Sequence, residues 1–371
     1  MKRILHISKF YYPYFGGIED VVYNIVGELR DKYIQRVICF NHERTGTVRT
    51  LDNGVDIVRV NAPIVIASQP ISFSYYRCLR KEIQAFCPDV IHVHFPNPLI
   101  GLYLLAMPIK AKLVIHWHSD IIGKNSLYSL YQPFERRLLE RADAIITTSP
   151  QYGEYSKPLQ PFTEKIHILP NIVNEEKMRL MAGEEPEVQR IRDTYAGKKI
   201  ILFMGRHVAY KGICHLIKAA QWLDDDCVVL IGGTGDLTHT LKQKAHNVKD
   251  KVHFIGRLPS LEMKYHMYAA SIFAFPSIDR REAFGVVLAE ALYCGLPAVS
   301  FNIPGSGATW VNQNGQTGIV VESIDDKQYA EAINTLLRDE PRRQLYGKQA
   351  KEWTRENFLK DKILTLTDIY G

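Results

Sequence analysis

The sequence contains no long hydrophobic run. Its longest largely apolar stretch, 98–109, is about half the length of the ~20 residues that a membrane-spanning helix needs. At the N-terminus, the apolar segment ILHI is too short to be the hydrophobic core of a signal peptide. These two absences predict a cytoplasmic protein, with any membrane contact confined to its surface.

Cysteine is also scarce, and its spacing excludes two kinds of site. The six cysteines of the 371-residue chain form no Cys-x-x-Cys pair, and the histidines show no spacing typical of a zinc site. Several cysteines lie in apolar runs such as RVICF and CVVLIGG. We therefore expect buried thiols in a reducing compartment, without disulfide bonds and without a metal site.

Charge and composition narrow the class of protein further. A net charge of +6 is a modest excess for this length, which suits anionic ligands or an anionic membrane surface and does not predict a nucleic-acid partner. With 46% hydrophobic and 23% charged residues, the chain has the composition of a folded globular protein. Its length exceeds what one core usually needs and predicts two domains.

Short runs rich in β-branched residues alternate with helix-like segments along the whole chain. RILHIS, RVICF, VDIVRV, PDVIHVHF and KLVIHWHSD predict strands in the first half, and KKIILFMG restarts the alternation in the second. The polar stretch 175–197 predicts a linker with a surface helix. We therefore expect an α/β protein with doubly wound parallel sheets in domains 1–175 and 190–354. In such sheets, ligands bind at the carboxyl ends of the strands.

The stretch 276–297 carries the strongest site signal. It joins a predicted strand to a predicted helix and contains two glutamates, Glu282 and Glu290, eight positions apart. Unpaired N–H groups at such a helix start favour a phosphate, and we expect them to come from Phe284, Gly285, Val286 and Val287. A helix continuing through both glutamates would separate them by about 12 Å, the span from a hexose to a ribose. The alternative is a first-turn acid and a solvated helix residue.

Further predicted turns carry candidate ligand-binding residues. Arg206 and Lys211 follow the strand KKIILFMG, where two cations either neutralise a diphosphate or are simply solvated. Gly16 and Gly17 follow RILHIS and would let a ligand approach the backbone, although a pair of glycines alone is more often an ordinary turn. His118 ends KLVIHWHSD, where it is either a hydrogen-bonded core residue or a ligand contact.

Two other patterns contain residues of a known motif but lack the structural context that the motif requires. Gly232-x-x-Gly235 follows a strand but lacks the further glycine and the downstream acid of a dinucleotide fingerprint. The triple 224–226 contains Asp-x-Asp, but it lies between a helix and the start of a strand, which is the wrong end of a sheet for a ligand. We expect it to be a solvated turn.

Several of these segments together resemble glycosyltransferase family 4, the nucleotide-sugar-dependent retaining transferases with the GT-B fold. The Glu-x7-Glu motif contains Phe-Gly, follows Phe-Pro-Ser and precedes Ala-Leu-x-x-Gly-x-Pro, and GRHVAYKG is similar to the family element Gly-Arg-Leu-x-x-x-Lys-Gly. The resemblance covers nearly the whole chain. It implies two Rossmann-like domains facing a central cleft, the first on the acceptor side and the second binding the nucleotide sugar. It also implies that 355–371 packs back on the first domain.

The resemblance implies roles for the candidate residues of the second domain. Arg206 and Lys211 would bind the diphosphate of the donor. Glu282 would bind the sugar hydroxyls as a catalytic residue, and Glu290 would bind the ribose. The pair Arg257-Leu258 would lie near the base.

In the first domain, the resemblance places Gly16 and Gly17 near the donor phosphates and the acceptor. It places His118 beside the donor sugar, as the second catalytic residue. The family chemistry implied here uses fixed cations and amide dipoles to stabilise the leaving diphosphate, and it needs neither a metal ion nor a cofactor.

The sequence WVNQNGQTG at 310–318 is similar to that of family members that transfer mannose during assembly of bacterial surface polysaccharides. This similarity implies GDP-mannose as the donor and a glycan or polyprenyl-diphosphate-linked acceptor. The chain departs from the commonest family pattern, which has an acid where Thr309 or Trp310 stands. Basic segments at 77–81 and 135–141 would face an anionic membrane, or would be solvated helix faces.

Two other functions stay open at the level of sequence. A nucleotide-sugar epimerase of the same architecture would act on the donor without an acceptor, and it explains Glu-x7-Glu less well. A non-catalytic nucleotide-sugar-binding protein would have lost part of the site, and the joint presence of the candidate residues argues against that loss.

Overall fold

The computed structural model describes residues 1–14, 16–43, 45–66, 69–121 and 125–371, without the side chains of 125–127. The chain divides into two compact units. Unit 1 consists of Met1–Pro170 and Lys360–Gly371, and unit 2 consists of Asn171–Leu359. Among the described residues, every helix is too short or too polar to span a lipid bilayer.

Unit 1 alternates strands with helices over most of its length. Its described strands are β1 (Arg3–Ile7), β2 (Ile34–Phe40), β3 (Val48–Asp52), β4 (Val55–Val60), β5 (Ile64–Ile66), β6 (Gln69–Ile71), β7 (Val90–Phe95), β8 (Lys112–Trp117), β9 (Ala144–Thr147) and β10 (Ile166–Ile168). Its helices up to β10 are α1 (Gly17–Glu28), α2 (Phe73–Phe86), α3 (Pro98–Leu105), α4 (Asn125–Arg141), α5 (Pro150–Tyr155) and the 3₁₀ helix Gln160–Lys165.

Eight of these strands form one sheet in the order β10-β9-β8-β7-β1-β2-β4-β3, in which β3 runs antiparallel to β4 and the other neighbours are parallel. β5 and β6 form a separate antiparallel hairpin. From β1 the chain builds β2 and β4 on one side and then returns to build β7 to β10 on the other. The strand order therefore reverses between β1 and β7, a position beside which open sheets bind ligands.

Unit 2 restarts the alternation. Its strands are β11 (Lys199–Met204), β12 (Cys227–Gly232), β13 (Val252–Gly256), β14 (Ile272–Phe275), β15 (Ala298–Phe301) and β16 (Gly318–Val321). Its helices are α6 (Glu175–Met178), α7 (Glu185–Thr194), α8 (Ile213–Ala219), α9 (Thr238–Lys244), α10 (Ser260–Ala269), α11 (Val286–Tyr293), α12 (Ala308–Val311), α13 (Asp326–Arg338) and α14 (Glu340–Asn357). Short 3₁₀ helices occupy Ala209–Lys211, Ala220–Trp222 and His246–Val248.

The unit 2 sheet is parallel throughout, in the order β13-β12-β11-β14-β15-β16. Buried apolar side chains cover both of its faces, with Leu202 and Leu230 in one cluster and Ile201 and Val229 in the other. Burial of both faces explains why these strands are continuous apolar runs. The strand order reverses between β11 and β14. This architecture confirms the α/β class and the two doubly wound parallel sheets.

The end of the chain leaves unit 2 and returns to unit 1. After α14 come the 3₁₀ helix Lys360–Thr365 and α15 (Leu366–Tyr370), both in unit 1. The Tyr370 hydroxyl lies 2.6 Å from Nδ1 of His92 on β7, and Lys2 Nζ donates to the Tyr370 carbonyl oxygen at 3.2 Å. The returning segment is thus 360–371.

The division between the units falls between 170 and 171, ahead of the polar stretch 175–197. That stretch belongs to unit 2, and Val188 and Ile191 of α7 lie in the hydrophobic core of that unit. A single pair of apolar residues three positions apart is too weak a period to distinguish a packed helix from a linker.

Candidate functional site

Two loops at the carboxyl edge of the unit 2 sheet are held together by their backbones. They follow β11 and β14, the neighbouring strands at which the strand order reverses. The Ile278 N–H donates to the Tyr210 carbonyl oxygen at 2.9 Å. Gly212 has a φ of +61°, and a Cβ atom there would lie 1.9 Å from the Pro276 carbonyl oxygen. Only glycine therefore lets the two loops approach this closely.

This approach places the Lys211 ammonium against the Glu282 carboxylate. Lys211 Nζ donates to Glu282 Oε2, and the Ser277 hydroxyl donates to the same oxygen at 2.9 Å. Both charged residues are buried, with exposed fractions of 8% and 7%. Lys211 Nζ also lies 5.5 Å from the centroid of the Phe275 ring. The cation predicted at the diphosphate is thus paired with the acid predicted at the sugar.

The loop after β15 holds the backbone around Glu282. The Ser306 hydroxyl donates to the Glu282 carbonyl oxygen, and the Gly307 N–H donates to the Ala283 carbonyl oxygen at 2.8 Å. The loops after β11 and β14 therefore hold the Glu282 carboxylate, and the loop after β15 holds its backbone.

Helix α11 starts beside this pair and offers N–H groups to a ligand. It begins at Val286, with Gly285 as its N-cap at a φ of +90°. The Gly285 carbonyl oxygen accepts a hydrogen bond from the Ala289 N–H at 3.1 Å, so the N–H groups of Val286 and Val287 lie ahead of the first intrahelical bond. The Phe284 side chain is buried in the core, which leaves only its backbone for a ligand. Such a helix start favours an anion.

No single helix runs through the two glutamates, because Glu282 lies in the loop and Glu290 lies on α11. The condition for the expected separation of about 12 Å is therefore not met. The positive φ of Gly285 explains the difference, because it turns the chain immediately before the helix.

The other residues predicted to bind the donor in unit 2 lie on the same edge of the sheet. Arg206 follows β11 and is exposed, and its guanidinium has no acidic partner in the described part of the chain. Arg257 follows β13 and is exposed, whereas the neighbouring Leu258 packs against the core. Glu290 is half-buried. Among the residues predicted to bind the donor, Lys211 and Glu282 are in direct contact.

A glycine loop after β12 supports the turn after β11. Gly233 has a φ of +107°, and a Cβ atom there would lie 1.9 Å from the Gly205 carbonyl oxygen. At Gly235 a Cβ atom would lie 2.7 Å from the His207 carbonyl oxygen, and the His207 N–H donates to the Thr234 carbonyl oxygen at 3.0 Å. These glycines allow the loop after β12 to pack closely on the loop after β11. Their spacing in the sequence did not indicate this role.

In unit 1, His118 comes directly after β8 and is buried. Its Nε2 lies 3.0 Å from Nδ1 of His94, and its ring stacks on that of His116 with centroids 4.1 Å apart. Burial lowers the pKa of His118 to about 3, so its imidazole is neutral near pH 7. A neutral imidazole can orient a hydroxyl group by donating or accepting one hydrogen bond.

Four more buried histidines surround His118, and sequence reasoning missed this arrangement. The group, which we call the histidine stack, consists of His6, His92, His94, His116 and His118. Burial lowers the pKa of every member. The stack contains two overlapping groups, His6, His92 and His94 and then His94, His116 and His118. In each group, one ring nitrogen from every residue lies within 4.8 Å of the others.

The spacing of the histidines along the sequence did not indicate the stack, because the stack is assembled across neighbouring strands. The expectation that the chain has no metal site stays a prediction. The available signal was the pattern His-x-His in each of two predicted strands, 90–95 and 112–118, because alternate residues of a strand share a face.

The glycines before α1 have different surroundings. The Gly16 carbonyl oxygen accepts a hydrogen bond from the Asp20 N–H at 2.9 Å, and a Cβ atom at Gly16 would lie 2.2 Å from Glu19 Oε2. Gly17 is exposed, with open space where its Cβ atom would stand. Burial raises the pKa of Glu19, an acid that the sequence did not single out. A side chain at position 16 would thus overlap Glu19, whereas the space beside Gly17 at the start of α1 is open.

The fold and the unit 2 site together define the class of protein. Two doubly wound units, one with a buried lysine and a helix N-terminus at a strand-order reversal, are typical of glycosyltransferases with the GT-B fold. The structure is similar to that of sucrose-phosphate synthase from Thermosynechococcus elongatus, with a TM-score of 0.81 at 20% identity over 100% of this chain and 98% of that one. At that identity the likeness shows the fold alone.

Sequence comparison then identifies the family. Residues 15–177 match the family described as Glycosyltransferase Family 4, and 184–353 match Glycosyl transferases group 1. The chain is 31% identical to O-antigen chain mannosyltransferase C of Escherichia coli, over 98% of this chain and 96% of that protein. It is 29% identical to D-rhamnosyltransferase WbpZ of Pseudomonas aeruginosa, over 96% and 92%. The chain belongs to glycosyltransferase family 4 and is a hexosyltransferase, which confirms the predicted enzyme class.

Proposed function

We propose that this enzyme transfers a mannosyl group from GDP-mannose to a glycan or polyprenyl-diphosphate-linked acceptor during synthesis of a cell-surface polysaccharide. The observation that carries the proposal is the contact of Lys211 with Glu282 beside the start of α11, which sets a cation, a carboxylate and N–H groups at one edge of unit 2. The relatives support the choice of sugar. D-rhamnose is D-mannose without the 6-hydroxyl, so both relatives are named for sugars of one configuration.

In this proposal the diphosphate binds where the loops after β11 and β14 meet. Arg206 supplies an exposed guanidinium, and α11 supplies N–H groups and the positive end of its dipole. Lys211 stabilises the negative charge that grows on the departing diphosphate. Fixed charges of this kind are usually the largest single contribution to catalysis, and here they take the place that a metal ion has in other transferases.

In this proposal, one carboxylate oxygen of Glu282 binds the sugar. Lys211 and Ser277 both donate to Oε2, whereas Oε1 accepts no hydrogen bond from a described residue. We assign Oε1 to a sugar hydroxyl, and the negative charge favours the oxocarbenium-like state at the anomeric carbon. Glu290 is assigned to the ribose hydroxyls, and Arg257-Leu258 to the base.

We further propose that the transfer retains the configuration of the sugar by same-face attack. The acceptor hydroxyl forms its bond to the anomeric carbon as the bond to the diphosphate breaks, and the leaving phosphate oxygen accepts the hydroxyl proton. We assign His118 as a neutral hydrogen-bond partner of the donor sugar. We assign Gly16 and Gly17 to positions near the donor phosphates. Intact-mass detection of a glycosyl-enzyme with a slow fluorinated donor would refute this route.

The experiment that tests the proposed function is a donor and acceptor screen. Purified enzyme is incubated with GDP-mannose, UDP-glucose or ADP-glucose, with and without a mannose-containing oligosaccharide or a synthetic polyprenyl-diphosphate glycan. We expect release of GDP that depends on the acceptor, and a product whose new linkage is α by NMR, because GDP-mannose itself carries an α-linked sugar. Nucleotide release without an acceptor, or from UDP-glucose alone, would contradict the proposal.

A lipid-linked acceptor would bring the enzyme to a membrane surface, and α4 carries a suitable face. Leu130 and Phe134 are 73% and 41% exposed, and the exposed Arg137 follows at the same helical face. Apolar side chains beside a cation suit an anionic bilayer. We propose that this face contacts the inner surface of the membrane. Within 135–141 itself, Glu135 is buried, so only part of that basic segment faces solvent.

Vesicle flotation tests the membrane contact. We expect wild-type enzyme to float with phosphatidylglycerol vesicles at low salt and to be released by high salt. The double variant Leu130→Ser, Phe134→Ser should lose flotation, while Leu345→Ser, which changes an exposed leucine of unit 2, should keep it. Equal flotation of all three proteins would remove the assignment.

A further inference from the structure

The loop after β1 is rich in aromatic residues that the proposed reaction does not use. The segment FYYPY at 10–14 lies between β1 and the glycines before α1. Tyr12 and Tyr14 are 42% and 40% exposed. The Tyr12 ring packs on that of Tyr23 with centroids 5.0 Å apart, and the Tyr14 ring packs on that of Phe10 at 4.5 Å. These rings are therefore held in place while a large part of each tyrosine stays accessible, as at ligand-binding surfaces.

Tyr12 lines a solvent-open cavity of about 310 Å³ that belongs entirely to unit 1. One side of β3 forms the floor, because Thr50 and Asp52 are alternate residues of that strand and share a side. The segment 41–43, which follows β2, forms the opposite wall. A cavity of this volume is at the lower end of the range for small-molecule sites.

Arg59 on β4 connects the aromatic loop to the floor of the cavity. Its Nη1 donates to the Thr50 hydroxyl, and its Nη2 donates to the Tyr12 carbonyl oxygen, each at 2.5 Å. A guanidinium has five N–H donors, so others stay available to a ligand. The floor and the first wall are thus held together before any ligand binds, which lowers the cost of binding one.

The opposite wall is also fixed, and it adds negative charge. Asn41 Nδ2 donates to the Gly46 carbonyl oxygen at 2.8 Å, and Asn41 Oδ1 accepts from the Glu43 N–H at 3.0 Å. Within the described part of the chain, the carboxylates of Glu43 and Asp52 form no ion pair. The cavity therefore has two carboxylates for the single guanidinium of Arg59, a balance that disfavours a phosphate or another anion.

The geometry points to a subsite for a neutral sugar residue of a glycan in this cavity. The carboxylates of Glu43 and Asp52 accept hydrogen bonds from sugar hydroxyls, and the Arg59 guanidinium donates to a sugar oxygen. The Tyr12 ring packs on the C–H groups of the sugar, since a hexose has hydroxyls around its edge and C–H groups on its faces. An accessible aromatic ring beside charged hydrogen-bonding groups matches both parts of such a ligand.

The position of the cavity indicates that this glycan is the acceptor, a step that rests on the proposed function. Pro13 lines the cavity and is three residues before Gly16, so their Cα atoms are at most about 11 Å apart. Gly16 and Gly17 are assigned near the donor phosphates, where the acceptor hydroxyl has to arrive. The sugar in the cavity is thus a neighbour of the sugar that accepts the mannosyl group. The enzyme then prefers an acceptor longer than a single sugar, which an earlier glycosyl transfer has to supply.

The first test measures glycan binding in the absence of a donor, so it does not depend on transferase activity. The full chain, with ¹³C-labelled tyrosine rings, is titrated with α-linked mannotriose. We expect mannotriose to shift a ring resonance that is missing from the spectrum of Tyr12→Ala. The matched control is Tyr155→Ala, which removes an exposed tyrosine of α5 in the same unit and should keep that resonance and its shift. A Tyr12 resonance that responds to pyrophosphate and not to mannotriose would overturn the inference.

The second test compares acceptors of different length. Acceptor-dependent GDP release is measured with methyl α-mannoside and with mannotriose. We expect the wild type to have the higher kcat/KM for mannotriose, through a lower KM. Tyr12→Ala and Asp52→Asn, on two sides of the cavity, should each reduce this preference about tenfold. Tyr155→Ala and Asp31→Asn, at exposed positions of unit 1, should keep it.

The outcomes distinguish this inference from the proposed function. Circular dichroism checks folding, and Glu43→Gln, at an exposed position, replaces a variant that does not fold. A wild-type preference for mannotriose in the folded cavity variants would overturn the inference and leave the proposed function intact. Absence of GDP release from the wild type with either acceptor would contradict the proposed function instead, and the tyrosine titration would then decide whether the cavity binds a sugar.

Discussion

At the scale of single residues, the Lys211–Glu282 pair changes what a substitution should do. Both side chains are buried and in contact. Removing one member of a buried ion pair costs about 3–5 kcal/mol, because it leaves a buried charge unpaired, whereas removing both charges is often nearly neutral. Stability and turnover can therefore be separated at this site.

We predict that Lys211→Met lowers the free energy of unfolding by about 3 kcal/mol and turnover by about 100-fold or more. The double variant Lys211→Met, Glu282→Gln should regain most of the stability and none of the turnover. Urea unfolding and acceptor-dependent GDP release measure the two effects. Lys218→Met, which changes an exposed lysine of α8, is the control. Turnover near the wild-type value in the double variant would contradict the assignment of both residues.

Glu135 on α4 makes the stability of unit 1 depend on pH. It is 1% exposed, the Tyr128 hydroxyl donates to its Oε2 at 2.6 Å, and burial raises its pKa from 4.5 to about 7. A raised carboxyl pKa means that the folded state holds the proton more tightly than the unfolded chain. The stability of the fold therefore falls as the pH rises from about 4.5 to about 7 and is level above that range.

We predict that Glu135→Gln removes this decline. The variant should resemble the wild type near pH 4.5 and exceed its stability at pH 8 by up to about 3 kcal/mol. Glu140→Gln, on the exposed side of the same helix, should follow the wild-type curve. Unfolding midpoints measured across this pH range provide the comparison, and parallel curves for wild type and Glu135→Gln would disprove the role of this carboxyl group.

The motifs singled out Lys211 and Glu282 as candidate site residues, but they did not indicate that the two side chains are in contact. Lys211 and Glu282 are 71 positions apart, and nothing in the linear sequence shows that the ammonium and the Ser277 hydroxyl share one carboxylate oxygen. The prediction treated Lys211 as a ligand of the diphosphate alone. The missing information was the adjacency of β11 and β14, which only the assembled sheet provides.

At the scale of elements, glycines decide how closely the loops of unit 2 approach. Gly212 and Gly183 both have positive φ, at +61° and +91°, but a Cβ atom at Gly212 would meet the Pro276 carbonyl oxygen and one at Gly183 would meet open space. Substitutions at the two positions therefore distinguish the free-energy cost of a left-handed backbone from the cost of steric overlap.

We predict that Gly183→Ala costs about 1–2 kcal/mol of unfolding free energy, the usual cost of a left-handed backbone. Gly212→Ala should cost clearly more and should also weaken binding of the donor, since the overlap pushes apart the loops that carry Lys211 and Glu282. Urea unfolding and calorimetric titration with GDP measure the two effects. Equal losses of stability in the two variants would show that the close approach is unimportant.

Elements differ in how far the sequence predicts them. The central strands are continuous apolar runs because helices cover both faces, so their positions were evident. The pattern also indicated a helix start near Gly285, but it did not indicate the positive φ there, where a Cβ atom would lie 3.0 Å from Phe275 and 3.3 Å from Leu288. The histidine stack was missed for a related reason: β1 and β7 are neighbours in the sheet and distant in the chain.

At the scale of the whole molecule, the alternation of strands and helices predicted two doubly wound units, and the fold and family membership confirm the class. Nothing in the alternation indicates the base of the donor, and the residues that we propose near the base, Arg257 and Leu258, are only two side chains. The identity of the nucleotide therefore has to be measured.

We predict that GDP-mannose raises the melting temperature more than UDP-glucose or ADP-glucose at equal concentration. A ligand present at 100 times its dissociation constant stabilises the folded state by about 2.7 kcal/mol. Thermal-shift measurements on wild type and on Lys211→Met provide the comparison, and the variant should lose most of the effect. A larger shift with a UDP sugar would contradict the assignment of the donor base.

The return of 360–371 to unit 1 has a consequence for biosynthesis. A ribosome finishes β1 to β10 long before it makes Tyr370, so the partner of His92 is synthesised only after the whole of unit 2. Unit 1 emerges first but is completed only after unit 2, and a premature stop codon before residue 360 would leave His92 without this hydrogen bond.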